Sequence, residues 1–195
     1  VVPVIEIETQ PLTYSFEDKE LVIENDCVQV QFNEDGYLSF YQVDGQQWIT
    51  GPVRFNFWRA LTDNDRGVAS LIPAVERFQV PTYWKWATKK QHLHSLKFSI
   101  MKDGSILVTT LWNIPYVKGK AELVYLIGKD GKLIVKYAVK PRRKMLRLGI
   151  EMELNRALQT IKYFAHGPEE NMFDRMQGSP MGIYESPIGK LKHDY

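Results

Sequence analysis

Four turns, Glu34-Asp35-Gly36, Asp44-Gly45, Asp103-Gly104 and Asp130-Gly131, each lie between two runs of alternating, β-branched or aromatic residues. Asp and Gly both tolerate a positive φ, the backbone state that reverses a chain with the natural twist of paired strands. Each turn therefore predicts a hairpin. Runs at 21–23, 28–32, 37–43, 53–60, 94–101, 106–112, 121–127, 133–139, 145–154 and 160–165 read as strands. Hairpins at this density predict one all-β domain, a large antiparallel sandwich or barrel. Helical sequence is thin: 68–78 reads as a short helix or an irregular loop, and Pro73 argues against regularity there. Residues 1–15, with Pro3 and Pro11, read as an extended arm from a preceding domain, leaving 16–195 for the β domain.

A chain of 195 residues with 44% hydrophobic and 25% charged residues is long enough to bury a sizeable core. Its 25 basic and 23 acidic residues leave a net charge of +2. That balance argues against nucleic acid or an anionic membrane as a partner. The densest basic run, Lys140, Arg142, Arg143, Lys144 and Arg147, lacks interleaved aromatics and reads as a solvated loop rather than a phosphate-binding patch. The single Cys27 excludes an intrachain disulfide framework and a cysteine-based zinc site, and reads as a buried or half-buried thiol. No apolar run approaches the roughly 20 residues of a membrane span, and no signal peptide is visible. The chain opens on Val1 and stops at Tyr195, so it is expected to be a piece of something longer. Its compartment is left open, with cytoplasm favoured over periplasm.

Two polar clusters carry the functional reading. In the first, the aromatic run Phe55-Asn56-Phe57-Trp58 leads into Arg59-Ala60-Leu61-Thr62-Asp63-Asn64-Asp65-Arg66-Gly67. Asp and Asn side chains fold back on nearby backbone N–H groups, so this turn can build itself, with Arg59 and Arg66 clamping Asp63 and Asp65. The same carboxylate, amide and guanidinium groups would also suit the paired hydroxyls of a sugar. A calcium loop of the EF-hand type is excluded, because its further oxygen ligands and its glutamate are missing. The second cluster is His166-Gly167-Pro168-Glu169-Glu170-Asn171, continuing to Asp174 and Arg175. Gly-Pro gives the strand a sharp exit. Adjacent glutamates point to opposite faces of a strand and diverge on a turn, so Glu169 and Glu170 do not read as the two carboxylates of a retaining glycosidase, held about 5 Å apart. One of them bridging to Arg175 or Arg59 is the better reading.

Phe55 and Phe57 would share one strand face, as would Trp84 and Trp86 around Lys85. Exposed, such pairs are stacking platforms for sugar rings; buried, they are core, which is the favoured reading. His92 and His94 would also share a face, but no third metal ligand stands in register, and surface or partly buried histidines are expected.

Together, Phe57-Trp58-Arg59-Ala60-Leu61-Thr62-Asp63-Asn64-Asp65-Arg66-Gly67 and Gly167-Pro168-Glu169-Glu170-Asn171-Met172-Phe173-Asp174-Arg175 resemble two motifs of the C-terminal domain of large β-galactosidases of glycoside hydrolase family 2, a domain that some members encode as a separate small subunit. The motifs stand about 100 residues apart, as in the family, and the hairpin with Phe32-Asn33 and Gly36-Tyr37-Leu38 fits as well. The resemblance implies a galactose-mutarotase-like antiparallel supersandwich, incomplete at its C-terminal end. It implies that the catalytic glutamates belong to an upstream barrel domain, against which this domain packs while it helps to wall the β-galactoside cleft. Residues 67–74 would then form a mobile loop near that cleft, with Arg59, Asp63, Asn64 and Asp65 at its base. No cofactor is implied for this part; magnesium or sodium ions of the parent would be held elsewhere, and the full enzyme would be a homo-oligomer. Two other readings stay open. One is an aldose 1-epimerase of the mutarotase type, with His166 and Glu169 or Glu170 as acid and base. The other is a purely structural or carbohydrate-binding β-sandwich.

Overall fold

The structure, a computed structural model, describes residues 9–60, 74–115, 118–142, 145, 147–168 and 177–190, with only the backbone of 74–81. Among the described residues it is all-β but for one α-helix and a 3-10 turn, with antiparallel strand pairs, and it divides into two compact units, Val1–Glu153 and Leu154–Tyr195.

The first unit is a sandwich. One layer is a five-stranded meander in sequence order: β1 (Thr13–Glu17), β2 (Glu20–Glu24), β3 (Val28–Phe32), β4 (Leu38–Val43) and β5 (Gln46–Ile49). After β6 (Arg54–Asn56) and helix α1 (Ala74–Lys89), the second layer follows as β7 (His92–Ile100), β8 (Ile106–Ile114), β9 (Gly119–Ile127) and β10 (Leu133–Lys140), again a meander. β6 pairs instead with β11 (Gly149–Glu151).

Alternation decides which face is buried. In β8, Ile106, Val108, Thr110, Trp112 and Ile114 point inward, and in β9 Ala121, Leu123, Tyr125 and Ile127 do the same. They meet Leu21, Ile23, Val28, Val30, Phe32 and Leu38 from the first layer in a single core. Aromatic contacts stitch the layers: Phe32 meets Tyr125 edge-on at 5.0 Å, and Tyr37 stacks on Trp112 at 4.3 Å. Each large apolar side chain buried this way contributes about 1.5–3 kcal/mol. In that core the Thr110 hydroxyl accepts the Trp112 indole N–H at 2.9 Å, so neither of these polar groups is stranded, whereas the buried Tyr125 hydroxyl has no hydrogen-bond partner among the described residues. At one end the Tyr41 hydroxyl donates to the Gly131 carbonyl, and Asn25 Nδ2 donates to the Lys129 carbonyl at 3.0 Å.

All four expected hairpin turns are present, by two devices. Asp44 and Gly45 both take positive φ, 49° and 75°, in the two-residue turn between β4 and β5. At the other three only the glycine does. Residues 33–37, 101–105 and 128–132 repeat one five-residue loop, in which the glycine N–H bonds the carbonyl of the loop's first residue and that residue's N–H bonds the carbonyl of the last. A side-chain oxygen of Asn33, Asp103 or Asp130 caps the N–H of the residue that closes each loop.

The helix is the main departure from the sequence reading. Residues 82–89 are helical, so Trp84 and Trp86 do not share a strand face: Trp84 is buried and Trp86 is 43% exposed beneath the Lys90 ammonium. Pro81 and the lack of a clear apolar stripe hid the helix. The expected strands 53–60 and 145–154 shrink to the three-residue pair β6 and β11. β1 and β5 were unforeseen. In β7 the register shifts at a bulge between Leu93 and Ser95, and His92 and His94, on either side of the half-buried Leu93, are both exposed, as expected.

The second unit is built on the hairpin of β12 (Thr160–His166) and β13 (Met181–Pro187), paired from Thr160↔Pro187 to His166↔Met181. A 3-10 turn, Ile188–Lys190, follows. β13 was not foreseen in the sequence.

Candidate functional site

The first polar cluster leaves the sandwich from a rigid base. Phe55 and Phe57 are fully buried and stacked at 5.5 Å, so this pair is core, and Trp84 of α1 packs against Phe57 at 5.8 Å. Gln91 Nε2 donates both to the Phe55 carbonyl (2.6 Å) and to the Thr88 carbonyl (2.8 Å). Thr88 Oγ1 accepts the Phe57 N–H at 2.9 Å. Asn56 caps the Trp58 N–H with its oxygen at 3.0 Å and ties the Glu151 carboxylate with its nitrogen, also at 3.0 Å. Lys85 lies 5.1 Å from the Trp58 ring centre. The strand entering the loop and the C-terminal turn of α1 leaving it are thus cross-bonded side chain to backbone. Arg59, the first cluster residue, turns its Nη1 to the Ala60 carbonyl at 3.0 Å. Asp63, Asn64, Asp65, Arg66 and Gly67 lie outside the described residues.

The second cluster leaves the β12–β13 hairpin at an equally fastened point. His166 Nδ1 lies 2.6 Å from the Ser179 carbonyl, which can only accept, so Nδ1 carries a proton and donates it there. The Gly167 N–H donates to the Pro180 carbonyl at 3.2 Å, and the Tyr163 and Tyr184 hydroxyls donate to the Pro168 and Pro180 carbonyls, each at 2.8 Å. A Cβ at Gly167 would come within 2.9 Å of the Tyr184 ring, which explains a glycine at this crossing. Glu169, Glu170, Asn171, Asp174 and Arg175 lie outside the described residues, as does any bridge from the glutamates. Arg59 belongs to the first unit and His166 to the second, and each is fixed within its own.

The described residues that border each cluster are fastened by side-chain-to-backbone bonds, the first onto the buried Phe55, Phe57 and Trp84 and the second beside the half-buried Tyr163 and Tyr184. The family model for the β-galactosidase small chain matches residues 24–195, taking in both polar clusters of the sequence. The chain belongs to the β-galactosidase small-chain family. Its relatives include β-galactosidases of Lactobacillus delbrueckii subsp. bulgaricus (27% identical over 89% of this chain), Clostridium acetobutylicum (29% over 78%) and Actinobacillus pleuropneumoniae (26% over 100%). This small-chain homologue spans 17–19% of the length of these relatives.

Two features escaped the sequence reading. A notch of about 340 Å³ lies between Arg54, Glu151 and Glu153 where β6 meets β11, and Asn56 already holds one of its carboxylates. A larger groove of about 610 Å³ opens at one end of the β7–β10 sheet. Both are assembled by strand register, and sequence spacing gave no signal for either. Cys27 is free and half-buried, its Sγ 3.2 Å from Asp44 Oδ1. Burial, then the Asp44 hydrogen bond and charge, pushes its thiol pKa up, away from nucleophilic use.

Proposed function

We propose that this chain is the C-terminal part of a β-galactosidase that hydrolyses terminal β-D-galactosides with retention, packing against the catalytic barrel and walling the substrate cleft. In this reading it is inactive alone, because the acid/base and nucleophile glutamates belong to an upstream domain. The observation that carries it is the small-chain family match over 24–195 in a chain spanning under a fifth of its β-galactosidase relatives. Arg59, Asp63, Asn64, Asp65, Arg66 and Gly67 would form one stretch of the cleft wall. His166, Glu169, Glu170, Asn171, Asp174 and Arg175 would form another. No cofactor is assigned to these residues; magnesium or sodium of the parent would lie elsewhere, and the assembled enzyme would be a homo-oligomer.

The second unit supports this reading. Phe164 and Ile183 lie directly opposite one another across β12 and β13, yet are 71% and 68% exposed, with Met181 beside them at 54%. A lone two-stranded ribbon is marginally stable in water, and an apolar pair left open on it suits burial against another part of an enzyme. The test is co-purification of the chain with the separately produced barrel-containing portion. Phe164→Asp is expected to weaken that association at least tenfold while the circular dichroism of the chain is retained. Undiminished association would remove the hairpin face from the account.

A further inference from the structure

The groove at the end of the second layer owes its charge to strand register. His92 of β7, Asn113 of β8, Lys120 of β9 and Lys140 of β10 stand side by side in one row across all four strands. Lys118, in the turn before β9, and Arg142, just past β10, line the same groove, so four cationic side chains and the His92 imidazole face about 610 Å³ of space. Among the described residues no carboxylate lines it. The floor is apolar, with Ile114 and Pro141.

The Lys120–Lys140 pair is the telling feature. Residues directly opposite on antiparallel strands hold their Cβ atoms about 4.5–5.5 Å apart, and like charges there are destabilising. Lys118 and Arg142 add to the repulsion. A bound anion would reverse its sign, turning a costly row into a preformed set of donors. We propose that this groove is a binding site for a small, multiply charged anion of the phosphate class, inorganic or carried on a compact organic body that rests on the Ile114–Pro141 floor. The volume is that of a small-molecule site. The basic groups converge in one groove, on a chain whose net charge is only +2, which favours a compact anion over a long polyanion.

The test is calorimetric titration of the full chain with inorganic triphosphate, inorganic phosphate and a tri-glutamate peptide at fixed ionic strength. The proposal expects saturable triphosphate binding with Kd below about 1 mM, weaker binding of phosphate, and weaker binding still of the peptide. Lys140→Glu should weaken triphosphate binding about tenfold or more, because two charges change at one position. Lys97→Glu, on β7 outside the groove lining, should leave it unchanged. Without ligand, Lys140→Glu should raise Tm by about 1–3 °C, since a repelling cross-strand pair becomes an attracting one. Absence of saturable triphosphate binding, equal loss in both variants, or preference for the peptide would overturn the proposal.

Discussion

The Thr88 hydroxyl accepts the backbone N–H of Phe57 at 2.9 Å, joining the strand that enters the first polar loop to the helix that leaves it. The same hydroxyl donates to the Trp84 carbonyl one helical turn back, at 3.0 Å, so both its hydrogen-bonding roles are occupied. Thr88→Val keeps the shape but leaves the N–H of the fully buried Phe57 without an acceptor. A loss of about 1–3 kcal/mol in urea unfolding is expected, and Thr88→Ser should recover most of it.

Two hairpin glycines separate backbone strain from crowding. Gly45 has φ +75° and open space where a Cβ would point, whereas Gly131 has φ +82° and would place a Cβ 2.6 Å from Val43 Cγ1. Gly45→Ala should cost about 1–2 kcal/mol, the left-handed strain alone. Gly131→Ala should cost clearly more, because the β-branched Val43 cannot swing aside. Equal losses in thermal unfolding would show that crowding at Val43 is relieved freely.

These glycines also show what the sequence discloses. A hairpin is written locally: Asp-Gly between alternating runs sufficed to place all four turns, and β3 was located to the residue. The helix that carries Trp84 was hidden because Pro81 contradicts it locally, while tertiary packing of Trp84 on Phe57 supports it. The groove was hidden for a different reason. Lys120 and Lys140 are 20 residues apart in the chain, and only the β9–β10 register sets them opposite. The same basic run that reads as a solvated loop in sequence supplies Lys140 and Arg142 to that groove, while Arg143 and Lys144 lie outside the described residues.

Tyr37 links core packing to alkaline stability. Burial against Trp112 pushes its phenol pKa up to about 12, opposed by the Arg54 guanidinium 5.2 Å from the ring centre. The unfolded phenol releases its proton near pH 10. Between about pH 10 and 12 the folded state therefore binds more protons than the unfolded one, and stability falls as pH rises. The contribution is intact below pH 10 and reaches about 2 kcal/mol of loss by pH 12. Denaturant titrations across this range should show that decline, and Tyr37→Phe should flatten part of it. Tyr125, whose pKa burial also pushes up, accounts for a further share.

The central claim is that this chain completes a galactosidase rather than being one. Hydrolysis of a chromogenic β-galactoside by the chain alone, and then after mixing with the barrel-containing portion, tests it most directly. The account predicts no turnover by the chain alone and turnover once the two parts are combined. Turnover by the isolated chain would contradict it, and would return attention to Glu169, Glu170, Asp63 and Asp65 as catalytic carboxylates.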